Sequence, residues 1–84
     1  PRDTRAYFRG KALQKFPDRV RSLNWDSIEF DLGDGFRTVD LKGCVDEETA
    51  AAYNGCLDAA TSVEDLLKRL VTASGQPPET GGAE

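Results

Sequence analysis

Apolar and polar residues alternate in two neighbouring stretches near the middle of the chain. Ile28, Phe30 and Leu32 alternate with acids in the first stretch, and Val39 and Leu41 alternate with polar residues in the second. A period of two is typical of strands that bury one face and expose the other. The pattern therefore predicts two strands of one sheet.

The residues between the two stretches predict how the strands pair. Asp34-Gly35 favours a two-residue hairpin turn, because both positions tolerate a positive φ. With that turn, Phe30 lies opposite Val39 and Ile28 lies opposite Leu41. All four apolar side chains then share one face, so the pattern and the turn predict the same register.

Residues 3–16 have the pattern of an amphipathic helix. Asp3 or Thr4 can cap its start, and Pro17 ends it, because the residue before a proline avoids helical angles. At about 100° per residue, an apolar sector and a polar sector lie on opposite sides. The apolar sector holds Ala6, Ala12, Leu13 and Phe16, and the polar sector holds Tyr7, Lys11, Gln14 and Lys15.

Two further helices are predicted in the second half. Asp46 can cap a helix over residues 47–59, whose first turn carries two acids that the helix dipole favours. The stretch TSVEDLLKRLV begins with Thr61-x-x-Glu64, a capping box, and continues with apolar residues at helical spacing.

The remaining segments complete a fold prediction. Residues 18–23 favour a short helical turn with Val20 and Leu23 inward, and residues 75–84 have the composition of a disordered tail, with prolines, glycines and no large apolar side chain. The order of elements predicts a small single α+β domain over residues 1–74: a helix, a β-hairpin and two helices.

The net charge of −4 hides an uneven distribution. Residues 1–24 hold seven basic residues against two acids, giving +5, whereas residues 25–84 give −9. A basic first element on an acidic domain either recruits an anionic partner, such as nucleic acid or an acidic protein, or is neutralised by the domain's own acids.

Residue types for independent catalysis are scarce. The chain has no histidine, and neither Cys44 nor Cys56 has a recognisable base beside it. The two cysteines are either buried, reduced thiols of a cytoplasmic protein, which we expect, or the partners of one disulfide. No membrane helix is expected, because no apolar run is long enough. Glu29, Asp31 and Asp40 share the outer face of the predicted hairpin, with Glu29 opposite Asp40, and form either a solvated acidic surface or a weak cation site.

Three residues do not fit an ordinary core or surface. Arg5 and Arg9 fall, with Arg2, in the apolar sector of the first helix, where a permanent charge requires a carboxylate, a phosphate or an interface. Trp25 falls on the strand face opposite to Ile28, where it either covers a helix or offers a stacking surface. Arginine and tryptophan together are common in nucleotide sites, so Arg5, Arg9 and Trp25 form the candidate binding site.

Two spaced motifs carry a resemblance to a known family. DTRAYFRGKAL, followed about fifteen residues later by WDSIEFDLG, resembles the C-terminal domain of the Pup ligase and depupylase family, and TSVEDLLKRL is similar to a later part of it. The Tyr-Phe pair in TRAYFRG and the WDS-x-x-FDLG motif are closer to the deamidase/depupylase branch than to the ligase.

This resemblance implies that residues 1–74 are an accessory part of a larger enzyme that deamidates, removes or attaches the ubiquitin-like protein Pup. The family's N-terminal domain resembles glutamine synthetase and carries the ATP, the magnesium and the catalytic carboxylates, so no catalytic residue and no metal ligand is expected here. Arg5, Arg9 and Trp25 would dock beside the nucleotide and help to close the ATP pocket. The basic residues 1–24 would also suit Pup, which is acidic.

The residues leave a second class of function open. A stand-alone module could bind an acidic protein or nucleic acid through the basic first helix, and its affinity would then fall steeply with salt. The charge of −9 over residues 25–84 argues against nucleic acid. The residues of that surface would be Arg2, Arg5, Arg9, Lys11 and Lys15.

Overall fold

The computed structural model describes residues 4–44, 46–74 and 79–81. An antiparallel sheet, with its strands in chain order, lies against three helices that cover one of its faces. This confirms the predicted α+β fold with a helix, a hairpin and two helices. The elements are α1 (Thr4–Lys15), β1 (Val20–Leu23), β2 (Ser27–Asp31), β3 (Phe36–Asp40), α2 (Glu47–Ala59), α3 (Val63–Ser74) and β4 (Glu79–Gly81).

The core lies between the sheet and the helices. Its largest fully buried side chains come from each layer: Phe8 from α1, Ile28 and Phe30 from β2, Leu57 from α2 and Leu66 from α3. Ile28, Phe30 and Val39 are buried on the inner face of the hairpin, as predicted from the alternation of side chains along a strand.

The pairing of β2 with β3 differs from the predicted register by two residues. Ile28 lies opposite Val39 rather than Leu41, and Phe30 lies opposite Arg37. A shift of two residues leaves every side chain on its predicted face, so the core is unaffected. Arg37, however, takes a place on the inner face beside Val39.

The connection between β2 and β3 explains this shift. It has four residues, 32–35, and not the two-residue turn predicted at Asp34-Gly35. The Asp31 carboxylate accepts a hydrogen bond from the Gly33 amide at 2.8 Å, and the Leu32 amide donates to the Gly35 carbonyl at 2.9 Å. Gly33 has a φ of 92°, which a residue with a side chain rarely adopts. The Asp31 side chain thus accepts a main-chain hydrogen bond from the loop, and this bond shapes the turn directly after β2.

Residues 18–23 do not form the predicted helical turn, because most of them belong to β1. A bulge between Val20 and Ser22 places Val20 opposite Phe30 and Leu23 opposite Ile28. The extra residue brings two apolar side chains that are three apart onto the same strand face. A spacing of three otherwise indicates a helix, and this caused the wrong prediction.

Helix α1 buries a different face from the predicted one. Phe8 and Ala12 are fully buried, whereas Leu13 is 42% exposed. Phe8 is the bulkiest apolar side chain that α1 can bury, and it lies outside the predicted sector, so its burial rotates the helix. Arg5 and Arg9 consequently lie at the border of the buried face and are half-buried.

The starts of α2 and α3 follow capping rules. Asp46 caps α2 as predicted, accepting a hydrogen bond from the Thr49 amide at 2.7 Å, and this bond lowers the pKa of the Asp46 carboxyl. The cap of α3 lies one residue later than predicted. Ser62 Oγ accepts from the Asp65 amide at 3.0 Å, and the Asp65 carboxylate accepts from the Thr61 amide at 3.0 Å. This releases Glu64 from the predicted capping box.

Three residues of the predicted tail form a strand. Glu79–Gly81 pairs with β3, with Gly81 opposite Phe36 and Thr80 opposite Arg37. Main-chain hydrogen bonds to an open strand edge need no apolar side chains, so composition alone does not predict this pairing. Residues 75–78 and 82–84 of the predicted tail lie outside the described residues. No helix in the described part of the chain is long and apolar enough to cross a membrane.

Candidate functional site

The three candidate residues lie together. The centroid of the Trp25 ring is 4.9 Å from the guanidinium carbon of Arg5 and 5.9 Å from that of Arg9. Both distances are within the range of a cation–π contact. We call Arg5, Arg9 and Trp25 the Arg–Trp cluster. It lies where the first half of α1 meets the turn between β1 and β2.

Local structure explains how the cluster forms. Arg5 and Arg9 are four residues apart on α1, so their side chains emerge from the same face of the helix. Trp25 lies in a tight turn that the Asn24 amide closes by donating to the Ser27 carbonyl at 2.9 Å. Arg9 Nη1 donates to the main-chain carbonyl of Trp25 and so joins α1 to this turn.

The exposure of Trp25 bears on the two interpretations of its sequence position. Its ring contacts the arginines of α1, yet 64% of the side chain is exposed. Helix α1 therefore leaves most of the ring surface uncovered. An exposed ring beside two permanent cations can accept a planar group on its surface and an anion at its edge.

Other basic residues near the start of the chain bind the domain's own acids and carbonyls. Lys11 Nζ is 2.7 Å from the Asp58 carboxylate, and Arg19 Nη2 is 2.6 Å from the Glu64 carboxylate. The bond to Asp58 raises the pKa of Lys11. Lys15 Nζ instead donates to the main-chain carbonyls of Leu57 and Asp58 at the end of α2, at 2.6 and 3.0 Å. These basic side chains therefore have partners within the fold.

A second arginine–aromatic contact lies on the opposite face of the sheet and was not predicted. The guanidinium carbon of Arg21 is 3.9 Å from the centroid of the Phe36 ring, and Arg21 Nε is 3.6 Å from the Glu29 carboxylate. Neither partner was predicted, because Arg21 is the extra residue of the bulge in β1. Its pairing with Glu29 is that of an ordinary exposed ion pair.

The three acids of the predicted hairpin face, Glu29, Asp31 and Asp40, do not form a cation site. Glu29 lies opposite Thr38 rather than Asp40, because of the shifted register, and it pairs with Arg21. Asp31 and Asp40 each accept a main-chain hydrogen bond from a residue two positions later. Within the described ranges, no group of three or more histidine, cysteine, aspartate or glutamate side chains could hold a metal ion.

The two cysteines form no disulfide with each other. Cys44 is fully buried and Cys56 is half-buried, and burial is the main cause that raises the pKa of each thiol. Cys44 lies before the start of α2, whereas Cys56 lies nine residues after Glu47, the first residue of the helix.

Comparison with known proteins places the chain in a family. It is 38% identical over 71 residues to the Pup deamidase/depupylase of Mycolicibacterium smegmatis and equally to that of Mycobacterium tuberculosis. It is 56% identical over 76 residues to the depupylase of Acidothermus cellulolyticus. Each match covers 83% of this chain and 14% of the relative, so the chain spans about a seventh of the length of these proteins.

No protein-family model matches the sequence, and no solved structure matches it significantly. The identity of 38–56% over 83% of this chain is nevertheless enough to show its family. The chain belongs to the Pup deamidase/depupylase family and corresponds to its C-terminal region.

Proposed function

We propose that this domain is an accessory part of a cytoplasmic, bacterial Pup-processing enzyme of the deamidase/depupylase type. In this proposal the Arg–Trp cluster faces a larger, glutamine-synthetase-like domain of the same enzyme and helps to close its ATP pocket. The observation that carries the proposal is the cluster itself: two guanidinium groups lie over a tryptophan that remains 64% exposed.

The chemistry of the cluster suits a nucleotide. The indole ring of Trp25 can stack on a purine base, and such stacking is sequence-tolerant and strong because both groups are flat and polarisable. The guanidinium groups beside the ring place positive charge there, and a guanidinium group can donate to phosphate oxygens. A stacking surface beside positive charge therefore suits ATP better than a neutral ligand.

The larger domain would hold the magnesium ion and the catalytic carboxylates. Several acidic side chains of this domain are engaged in capping or in ion pairs, such as Asp46 at α2 and Glu64 with Arg19. The contribution of this domain is then binding energy and closure of the site, and hydrolysis of the amide or isopeptide bond of Pup belongs to the larger domain. The acidic protein Pup is the substrate in this proposal.

The competing function, a stand-alone module for an acidic protein or nucleic acid, is weakened by the use of its cations. Lys11 and Lys15 hold the end of α2 through Asp58 and the carbonyls there, so a ligand would have to break these contacts. Arg2 lies outside the described residues. Arg5 and Arg9 are the members of that basic surface which the ATP proposal also uses.

Binding of ATP to the full-length enzyme tests the proposal. We expect Trp25→Ala to raise the Kd for ATP by about 10-fold to 100-fold, which corresponds to the 1–3 kcal/mol typical of one lost base stack. Arg21→Ala is the matched control, because it removes another arginine stacked on an aromatic ring, on the opposite sheet face. Calorimetric titration with ATP gives the Kd, and thermal unfolding shows that the fold is kept.

Two results would refute the ATP assignment. One is a Kd for the Trp25→Ala enzyme within twofold of the parent. The other is an equal rise in the Arg21→Ala enzyme, which would indicate a general loss of domain structure. Binding of single-stranded nucleic acid by the parent chain, lost in Trp25→Ala, would instead favour the stand-alone module.

A further inference from the structure

We propose that Arg9 is a positioning residue: it holds the turn that carries Trp25 and affects ligand binding through Trp25, not by contacting the ligand. This inference rests on the proposed function for its effect on ATP, whereas the link between Arg9 and Trp25 stands on the structure alone. Arg5 and Arg9 are equivalent in the sequence pattern, and the proposal gives them different roles.

The contact that carries the inference is made to the main chain. Arg9 Nη1 donates a hydrogen bond to the carbonyl of Trp25, a residue sixteen positions away. A hydrogen bond from a charged donor is roughly twice as strong as one between neutral groups. Since the acceptor is a main-chain atom, this bond fixes where the turn lies relative to α1, whatever side chain the turn carries.

Trp25 needs such a support because its own side chain is poorly packed. With 64% of its surface exposed, the ring gains little from the core. The turn is held on one side by the Asn24 amide, which donates to Ser27, and on the other by the Asp26 carbonyl, which accepts from the Leu41 amide at 2.7 Å. The carbonyl of Trp25 lies between these two anchors, and Arg9 holds it.

Arg5 and Arg9 differ in geometry. The guanidinium carbon of Arg5 is 1 Å closer to the centre of the Trp25 ring, at 4.9 Å against 5.9 Å for Arg9. Cation–π attraction favours the closer group, whereas Arg9 directs a donor at the main chain beside the ring. Arg5 and Arg9 emerge from the same face of α1, yet they have two different roles.

The position of Trp25 can be followed directly in the full-length enzyme labelled with 5-fluorotryptophan. The fluorine resonance that disappears in Trp25→Phe belongs to Trp25. We expect Arg9→Ala to shift or broaden that resonance, and Arg21→Ala to leave it unchanged. Arg9→Met keeps the apolar stem of the side chain and replaces Arg9→Ala if the alanine variant fails to fold.

A double-variant cycle on the Kd for ATP tests whether Arg9 acts through Trp25. Arg9→Ala should raise the Kd in the parent background by up to the same 10-fold to 100-fold as Trp25→Ala. In the Trp25→Ala background it should have no further effect, because the group that it positions is gone.

Each outcome decides one part of the inference. An unmoved Trp25 resonance in the Arg9 variants overturns the positioning role, whatever the affinities. A moved resonance with additive effects on the Kd overturns it too, because Arg9 would then contact the ligand itself. If Trp25→Ala leaves the Kd unchanged, the proposed function fails, and the fluorine resonance alone still decides whether Arg9 holds the turn.

Discussion

Arg19 and Glu64 join the residue before β1 to the first turn of α3, with Nη2 and Oε2 2.6 Å apart. The hydrogen bond from Arg19 is the main cause that lowers the pKa of the Glu64 carboxyl below its ordinary value of 4.5. A carboxyl with a lower pKa in the folded state adds stability that is complete above the pKa of the unfolded state. That stability is lost as the pH falls through the pKa of the folded state.

We therefore expect Glu64→Gln to lower the free energy of unfolding at neutral pH by about 0.5 kcal/mol, since the pair is largely exposed and screened by solvent. The difference between variant and parent should shrink as the pH falls below 4.5 and vanish below the lowered pKa of folded Glu64, where both carry a neutral group. Urea unfolding at neutral and acidic pH measures it. A difference that grows in acid would contradict this assignment.

The buried face of α1 makes a second prediction. Phe8→Ala removes a fully buried ring that also contacts Tyr53 edge-on, with centroids 5.8 Å apart, and should cost about 3–5 kcal/mol. Leu13→Ala is the control on the same helix. Leu13 is 42% exposed and should cost less than about 0.5 kcal/mol. Equal losses of unfolding free energy in the two variants would contradict the buried face of the structure and favour the apolar sector predicted from the sequence.

Two glycines should respond in opposite ways to alanine. Gly33 has a φ of 92°, so Gly33→Ala strains the loop after β2 and should cost about 1 kcal/mol. Gly55 lies within α2, and an added Cβ would meet no atom within 4 Å. Gly55→Ala should therefore stabilise the chain by about 0.5–1 kcal/mol, through helix propensity. Thermal unfolding of both variants checks the signs, and destabilisation by Gly55→Ala would indicate that this face packs against something.

The sequence predicted the faces of the hairpin and the start of α2 well, because both depend on local rules. Ile28 and Phe30 are buried by strand periodicity alone, and Asp46 caps α2 by the chemistry of its own side chain. The sequence did not predict the strand registers, because one additional residue in a strand or a loop shifts the pairing. The extra residue Arg21 in β1 and the side-chain turn at Asp31 both alter registers that periodicity does not reveal.

The candidate site was predicted by residue type, whereas its organisation was not. Arg5, Arg9 and Trp25 were selected because charge and an aromatic ring fell at unexpected positions, and the structure brings them together. The bond from Arg9 to the Trp25 carbonyl depends on the turn between β1 and β2. The helical pattern of residues 18–23 does not predict β1, and therefore does not predict the turn that follows it.

The end of α2 provides the last prediction. Leu57 and Asp58 lie in its final turn, where main-chain carbonyls have no partner within the helix. Lys15 Nζ donates to both carbonyls, and its charge also suits the negative end of the helix dipole. Lys11 binds the Asp58 side chain instead, which is 62% exposed.

We expect Lys15→Met to lower the free energy of unfolding by about 1 kcal/mol, since it leaves carbonyls without a donor. Lys11→Met should cost only about 0.5 kcal/mol, because it removes a solvent-screened ion pair. Added salt should reduce the Lys11 effect more than the Lys15 effect, because ions screen an exposed carboxylate more than a half-buried carbonyl. Because the pKa of Lys11 is raised, the stability that Lys11 contributes is lost only above pH 10.5, the ordinary pKa of a lysine. Both variants can therefore be compared at neutral pH. Urea unfolding with and without salt separates the two lysines, and a larger, salt-sensitive loss for Lys15→Met would mean that Lys15 serves mainly as a surface charge.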